Sequence, residues 1–190
     1  MTVGVLISGT GTNLQALIDD PAIDVACVVA DRPDAAGIGR ARDAGIDVLV
    51  TASDDATADF LEHHDVGLVV LAGYMRILSP EFVDRFSGRI MNVHPSLLPA
   101  FPGAHAVRDA LGHGVRVTGV TVHLVDSDHV EADTGPIVLQ EAMAVSYDDR
   151  AEDVTDRLHE IEHRLLPRAV RLFCAGAIDL DGRRVRVKDV

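Results

Sequence analysis

Asn92 and His94 are the residues whose types and spacing best suit a chemical reaction. They stand in the stretch Asn92–Pro99, directly after the apolar pair Ile90-Met91. Residues two apart on an extended backbone point to the same side, so the amide and the imidazole should enter one pocket. The proline after His94 restricts its backbone to extended conformations. An amide donor beside an imidazole suits acyl transfer, since one polarises a carbonyl oxygen while the other moves a proton.

A carboxylate that would complete this group lies further along the chain, in the segment Asp133-Thr134-Gly135-Pro136. An aspartate in such a turn can serve only to form an Asx-turn. Its catalytic use would be to orient His94. His123, on the preceding predicted strand, could face the same cleft, whereas His129 in the acidic loop 126–133 suits a solvated position.

A loop with two glycines, Ser8–Asn13, joins the first predicted strand to the first helix. Glycines allow a tight turn, and free amides at a helix start favour an anion such as phosphate. The third glycine of a dinucleotide fingerprint is missing, but Asp31 follows at the end of the second strand, where such folds hold a ribose. We expect a phosphate site; a turn without a ligand and a nicotinamide-dinucleotide site are the alternatives.

Two further segments carry candidate binding residues. Gly73–Leu78 follows a strongly apolar strand and could line a groove for a flat ring, although Ile77 and Leu78 could equally be core residues. His159 and Glu162 are three apart on a predicted helix and share a face. By spacing alone, a solvated helix surface is the favoured interpretation of this pair.

Composition limits the classes of function. The chain has 190 residues, of which 47% are hydrophobic, and this predicts a folded domain with a substantial core. A formal net charge of −13 with Lys188 as the only lysine disfavours nucleic-acid binding, which needs clustered Lys and Arg. The excess of carboxylates indicates either adaptation to a salty cytoplasm or ordinary surface charge that keeps a protein in solution.

The remaining local signals point to a cytoplasmic protein without metal. Cys27 and Cys174 should be buried thiols, because no disulfide framework or zinc spacing is present. The pairs His63-His64 and His159/His163 lack a third ligand at a diagnostic spacing. No segment has membrane-spanning length, and the N-terminus has no signal-peptide pattern, so we expect no contact with membranes.

Strand and helix signals alternate through the first hundred residues. Continuous apolar strands separated by helices predict an open, mostly parallel sheet with helices on both faces, an α/β fold. After residue 105 the pattern changes: Thr118–Val125 alternates like a strand with one exposed face, Ile137–Val145 is another strand, Asp149–Ala175 is a long helix, and Ile178–Val187 is a hairpin. The C-terminal part should therefore carry antiparallel strands, and the ligand should lie at the carboxyl ends of the parallel strands.

Taken together, these segments resemble the glycinamide ribonucleotide formyltransferases, the folate-dependent family of purine synthesis. The matching stretches run in the family's order and span most of the chain, at residues 6–18, 70–82, 92–103, 119–123 and 133–138. The motif at 92–99 is shared by formyl-folate enzymes generally. The loop at 8–13 is more particular to the members that bind a ribonucleotide.

The resemblance implies a fold and a reaction. The fold is a Rossmann-like formyltransferase domain over residues 1–190, with a nucleotide-binding half at about 1–100 and a folate-binding and catalytic half at about 101–190. The reaction moves the formyl group of 10-formyltetrahydrofolate to the amine of glycinamide ribonucleotide, by direct amine attack and without a metal or a covalent enzyme intermediate. The partners are these small molecules, and the protein is a monomer or a homodimer.

The resemblance also implies individual roles. The catalytic residues are Asn92, His94 and Asp133. The ribonucleotide is bound by Gly11, Thr12, Asn13, His159 and Glu162. The phosphate of the ribonucleotide lies on Gly11, Thr12 and Asn13. The folate is bound by Met75, Arg76, Ile77, Leu78 and Asn92.

Three departures from the family pattern concern these assignments. The loop from His123 to Asp133 is longer than the family's, so Asp126 and Asp128 remain weaker candidates for the catalytic carboxylate. His159 stands where the family has a glutamine that helps to bind the nucleotide. Tyr74 stands where phenylalanine is common.

Other classes compete with this interpretation. Formyltetrahydrofolate hydrolase shares the Asn-x-His and Asp motifs but usually has an additional N-terminal regulatory domain. Methionyl-tRNA formyltransferase normally has a C-terminal RNA-binding domain, which the acidic composition disfavours here. A non-catalytic sensor would use the glycine loop alone and would bind a nucleotide without turnover.

Overall fold

The computed structural model describes residues 1–125 and 133–188. In chain order the elements are β1 (Thr2–Ile7), α1 (Thr12–Ile18), β2 (Asp24–Ala30), α2 (Gly37–Asp43), β3 (Asp47–Val50), α3 (Asp54–His63), β4 (Leu68–Leu71), α4 (Pro80–Arg85), β5 (Ile90–His94), α5 (Ala106–His113), β6 (Val117–Leu124), β7 (Ile137–Ala144), α6 (Ala151–Cys174), β8 (Ile178–Asp181) and β9 (Arg184–Val187). None of these helices is both long and apolar enough to span a bilayer.

A mixed sheet organises the chain, with strand order β3-β2-β1-β4-β5-β6-β7, while β8 and β9 form a separate antiparallel hairpin. Strands β1 to β5 pair in parallel, and β6 and β7 are antiparallel. The connections leave β1 towards β2 on one side and return to β4 on the other, so the loops after β1 and β4 diverge and open a crevice at the carboxyl ends of the strands. The predicted α/β fold class is confirmed, with its long helix and its antiparallel C-terminal strands.

Helices cover both faces of the sheet. The side chains of α1, α2, α5 and α6 pack on one face, and those of α3 and α4 pack on the other. Strand β4 is buried along its whole length, which explains its unbroken apolar sequence.

The prediction of an exposed face on Thr118–Val125 is wrong. Strand β6 is buried from Thr118 to Leu124, because α6 packs on one face and the loop after β5 lies on the other. The strand with alternating exposure is its neighbour β7, at the edge of the sheet.

Close contact between two glycines holds the loop after β1. Gly11 has a φ of 72°, in the left-handed region that favours glycine. A Cβ atom on Gly11 would lie 2.6 Å from the Cα of Gly37, at the start of α2. The Gly37 amide donates to the carbonyl of Gly9 at 3.1 Å. The loop is therefore fixed against α2 with no room for a side chain at position 11.

We predict that Gly11→Ala destabilises the protein by about 1–3 kcal/mol, because alanine is strained at this φ and its methyl group meets backbone. Gly9→Ala is the matched control in the same loop, since a Cβ there would meet nothing within 4 Å. Urea unfolding of the three proteins measures both effects. Equal destabilisation by the two substitutions would contradict the packing argument.

Candidate active site

The carboxylate of Asp133 is the point at which the polar groups of the crevice meet. Its Oδ1 accepts a hydrogen bond from Asn92 Nδ2 at 3.1 Å, and its Oδ2 accepts one from the Gly103 amide at 2.8 Å. His94 Nδ1 lies 3.3 Å from Oδ2, and His123 Nε2 lies 3.5 Å from Oδ1. The structure therefore brings together the three residues that the sequence proposed as a catalytic group, and adds His123 to them.

The pairing of β5 with β6 fixes the relative positions of these side chains. Asn92 stands directly opposite His123, and His94 directly opposite Thr121. Directly opposite residues on antiparallel strands project from the same face of the sheet as close neighbours. Asn92 and His94 therefore form one row of polar side chains on this face of the sheet, and His123 and Thr121 of β6 form a second row beside it.

His94 is held from both sides. Its Nδ1 faces Asp133, and its Nε2 lies 2.9 Å from the carbonyl oxygen of Phe101. Phe101 has a φ of 51° and Asp133 a φ of 61°. These are two of the three non-glycine residues with positive φ in the described parts of the chain, the third being Asp65. Backbone strain is thus concentrated at the two residues that hold the imidazole.

A buried hydroxyl anchors the loop between β5 and Phe101. Thr121 Oγ1 donates to the carbonyl of Ser96 at 2.7 Å and accepts from the Leu98 amide at 3.0 Å. Gln140 Nε2 donates to Thr121 Oγ1 at 2.8 Å and to the Leu98 carbonyl at 2.9 Å. Thr121 and Gln140 carry no local sequence signal for this role, because only the register of β5, β6 and β7 brings them to this loop.

The turn after Asp133 lies directly on β6. A Cβ atom at Gly135 would stand 1.8 Å from the carbonyl oxygen of Leu124, so no other residue fits there without a shift of backbone. The Leu124 amide donates to the carbonyl of Pro136 at 2.9 Å. The contacts of Gly135 and Pro136 with β6 thus fix the position of the Asp133 carboxylate in the site.

The electrostatics of the site favour an ionised Asp133. Burial alone would raise its pKa, but contacts with His123, the Gly103 amide and His94 outweigh burial and lower the pKa to about 2. The carboxylate therefore keeps its charge at neutral pH and can stabilise a positive charge on a neighbouring imidazole or amine.

A second polar pair lies between the glycine loop and the long helix. Asn13 Nδ2 donates to Glu162 Oε2 at 2.7 Å, and both side chains are buried. Asn13 Oδ1 is also buried and has no hydrogen-bond partner among the described residues. Burial raises the pKa of Glu162, opposed by the bond from Asn13 and by the nearby His159. The interpretation of His159 and Glu162 as a solvated helix surface is thus wrong for Glu162.

The loop carrying Gly11 and Thr12 has a further contact that no sequence motif indicates. Arg40, on α2, donates from Nε to the carbonyl of Thr10 at 2.9 Å and from Nη1 to Gln15 Oε1 at 3.2 Å. The guanidinium thus stabilises the loop by hydrogen bonds and adds positive charge near the backbone amides of the loop. An arginine four residues into a helix gives no signal in the sequence that it will fold back onto a distant loop.

The apolar segment after β4 lies beside the loop after β1. Ser8 N donates to the Gly73 carbonyl at 3.2 Å, and the Met75 amide donates to Ser8 Oγ at 2.9 Å. Met75 and Ile77 are 62% and 86% exposed, which excludes Ile77 from the core. Leu78 packs partly against the core, and Tyr74 is buried.

The side chain of Arg76 points away from this exposed surface. Its guanidinium donates to the carbonyl of Ala52 and lies 3.6 Å from Asp54 Oδ1. Asp54 also accepts from the Ser79 amide at 2.7 Å. Arg76 therefore ties its loop to the start of α3. Its guanidinium is engaged there, so the backbone of Arg76 is the part left to contact a ligand.

Most of the other candidates lie outside these clusters, but His159 is close enough to Glu162 to affect its pKa. Asp31 pairs with its neighbour Arg32 at 3.3 Å. His64 bonds to the Phe60 carbonyl and to Asp47. His159 and His163 stack with ring centroids 6.1 Å apart. Within residues 1–125 and 133–188 no group of side chains is arranged to hold a metal ion. Asp126, Asp128 and His129 lie outside the described residues.

Both cysteines are free thiols, Cys27 buried and Cys174 partly buried. Burial, with a smaller contribution from Asp47, raises the pKa of Cys27 to about 12. Neither thiol is therefore a nucleophile at neutral pH.

Comparisons with known proteins identify the family of this chain. The family model for formyl transferases matches residues 1–170. The phosphoribosylglycinamide formyltransferase of Haemophilus influenzae is 40% identical over 98% of this chain and 90% of its own length. The trifunctional purine biosynthetic protein adenosine-3 of Gallus gallus is 43% identical over 94% of this chain, which spans 19% of that relative.

A solved structure extends the likeness to the fold. The crystal structure of glycinamide ribonucleotide transformylase 1 from Symbiobacterium toebii superposes with a TM-score of 0.95 at 47% identity, over 100% of this chain and 94% of that one. Both chains share an open α/β sheet, and in this chain an Asn, His and Asp cluster lies at the strand ends. This chain belongs to the formyl transferase family.

The low pKa of Asp133 predicts a particular dependence of stability on pH. An aspartate with a pKa of about 2 in the folded protein and about 3.9 in the unfolded chain stabilises the fold above about pH 4, and this contribution is lost as pH falls towards 2. Asp133→Asn should flatten the pH dependence of the free energy of unfolding in this window. Urea titrations at successive pH values measure it, and unchanged pH dependence in the variant would contradict the assignment.

Proposed function

We propose that this protein transfers the formyl group of 10-formyltetrahydrofolate to the amine of glycinamide ribonucleotide, a step of de novo purine synthesis. The observation that carries the proposal is the meeting of Asn92, His94 and Asp133 at one edge of the sheet. The names of the relatives and the resemblance of the binding loops support the choice of substrates. The folate is a co-substrate, and the mechanism uses no metal.

The reaction exchanges one carbon–nitrogen bond for another. The amine forms a bond to the formyl carbon, the bond from that carbon to the folate nitrogen breaks, and a proton passes from the amine to the folate nitrogen. Negative charge grows on the formyl oxygen in the tetrahedral intermediate. Asn92 is the residue that donates to this oxygen from Nδ2, and loss of a donor of this kind costs ~100- to 1000-fold in turnover.

His94 and Asp133 handle the proton. Both nitrogens of the imidazole face acceptors, the Phe101 carbonyl and Asp133, so a ring protonated on both nitrogens donates to each of them. The ionised Asp133 stabilises that imidazolium and orders a water that relays the proton between amine and folate. General acid–base assistance of this kind contributes ~100- to 10,000-fold.

The ribonucleotide occupies the side of the crevice formed by the glycine loop and α6. The backbone amides of Gly11, Thr12 and Asn13 hold its phosphate, with His159 assisting. The amine lies at Glu162 and Asn13, where a buried carboxylate stands beside an amide oxygen that lacks a donor. Two buried acceptors side by side suit a group that carries several N–H hydrogens.

The folate occupies the side formed by the segment after β4. Met75 and Ile77 offer exposed apolar surface to a flat ring, and Leu78 continues it. Arg76 contributes backbone polar groups, because its guanidinium is engaged with Ala52 and Asp54. The two substrates thus approach the central cluster from opposite sides, which suits direct transfer.

A spectrophotometric assay with a formyl-folate tests the reaction. Release of folate only when glycinamide ribonucleotide is present is the expected result. Release without the amine would identify a hydrolase, and nucleotide binding without any release would identify a non-catalytic binder.

We predict that Asn92→Ala and Asp133→Asn each give folded protein whose kcat is lower by at least ~100-fold, because the first removes the donor to the formyl oxygen and the second removes the charge that stabilises the His94 imidazolium. Circular dichroism confirms the fold, and steady-state kinetics give kcat and KM. Turnover within a few-fold of wild type for either variant would refute the role of that residue.

Glu162→Gln separates binding from stability. The substitution removes a hydrogen bond from the substrate amine to a charged acceptor, so KM for glycinamide ribonucleotide should rise by ~10- to 100-fold. Because burial raises the pKa of Glu162, its charge costs stability as pH rises above the ordinary value of 4.5, and the variant should be more stable than wild type at neutral pH. Glu160→Gln, an exposed neighbour on α6, is the control and should change neither quantity. A variant at 162 with wild-type KM would contradict the assignment.

A further inference from the structure

The side-chain amide nitrogen of Asn92 contacts two possible hydrogen-bond acceptors. Its Nδ2 lies 3.1 Å from Asp133 Oδ1 and 3.1 Å from His123 Nε2. An amide nitrogen carries two hydrogens, so both contacts can be hydrogen bonds at once. The amide oxygen cannot take this position, because it would then face a carboxylate oxygen at the same distance.

The backbone fixes which nitrogen of His123 carries the proton. His123 Nδ1 lies 3.0 Å from the carbonyl oxygen of Leu124, which can only accept, so the proton of the neutral ring is on Nδ1. Nε2 then presents a lone pair, which suits the N–H of Asn92. The same nitrogen lies 3.5 Å from Asp133 Oδ1, a longer contact that stabilises the carboxylate only when the ring carries a proton on both nitrogens.

Of the two hydrogens on Asn92 Nδ2, the one donated to His123 is harder to release than the one donated to Asp133. The ring is 1% exposed, so no bulk water can replace Asn92 as the donor to Nε2. Asp133 keeps the Gly103 amide and the His94 ring when Asn92 leaves. Both of these donors contact Oδ2, so release of the hydrogen shared with Asp133 frees Oδ1, which belongs to a side chain that is 11% exposed and can take a hydrogen bond from water. Release of the hydrogen on His123 instead leaves an enclosed acceptor without a donor.

We propose that His123 is a positioning residue for formyl transfer: it holds one hydrogen of the Asn92 amide, so that the other, shared with Asp133, is the one presented to the formyl oxygen. The inference rests on the proposed function of Asn92 as donor to that oxygen. His123 touches no reacting atom and acts through Asn92. Without it the amide is free to rotate and to place its oxygen where the donor should be.

Kinetics of His123→Phe test the proposal, because phenylalanine keeps the ring and removes the acceptor. We expect kcat to fall by at least ~10-fold, up to the ~100- to 1000-fold cost of losing the donor itself, with KM for both substrates unchanged. His123→Gln, whose side-chain oxygen can accept from Asn92, should restore kcat to within a few-fold of wild type. His64→Phe, a histidine substitution on α3 outside the site, is the control for the change of residue type.

A double-mutant cycle separates positioning from a structural role. In the Asn92→Ala background His123→Phe should lower kcat no further, because the residue through which it acts is gone. Equal additional loss in that background, or kcat of folded His123→Phe within twofold of wild type, would overturn the proposal. Activity of the wild-type protein tests the proposed function separately. A wild-type protein without formyl transfer would refute the proposed function before any variant is measured.

Nitrogen-15 NMR of the wild-type protein decides the arrangement even if His123→Phe does not fold. We expect a scalar coupling across the hydrogen bond between Asn92 Nδ2 and His123 Nε2, with Nε2 resonating as an unprotonated imidazole nitrogen. The Asn92 signal is assigned by its loss in Asn92→Ala. A proton on Nε2 at neutral pH would reverse the amide and overturn the inference.

Discussion

The carboxylate of Asp133 is the constraint on which the rest of the site depends. It collects Asn92, His94 and the Gly103 amide, and His123 approaches the same oxygen as Asn92. An isolated carboxylate in a partly buried crevice would tend to take up a proton. Here its donors outweigh burial, so the charge persists and orients the groups around it. Removal of the charge would leave Asn92 and the Gly103 amide as donors without their anionic acceptor.

The fold delivers these groups through strand register and strand order. Asn92 and His94 share one face at the end of β5, and the antiparallel partner β6 brings His123 and Thr121 opposite them. The loops after β1 and β4 both lie on the β4 side of this cluster and lead to helices on opposite faces of the sheet. In the proposed reaction the two substrates reach the cluster from these two loops, which suits the transfer of a group between them.

Much of this arrangement could be predicted from sequence, and the remainder depends on long-range contacts. The spacing of Asn92 and His94 on an apolar strand end predicts one pocket, and their roles with Asp133 stay predictions that kinetics must test. The register that places Thr121 beside His94 follows from packing between distant strands and has no local signal. The burial of Glu162 had a signal: it lies within the apolar stripe that Leu158, Ile161 and Leu165 form on α6.

The charge of the Asp133 carboxylate can be measured directly. Carbon-13 NMR of its side-chain carboxyl, followed through an acid titration, gives its pKa in the folded protein without any substitution. We expect a midpoint at about 2, well below the ~3.9 of an unperturbed aspartate. A midpoint at or above that ordinary value would mean that the surrounding groups do not hold the charge, and would contradict the assembly of the site around it.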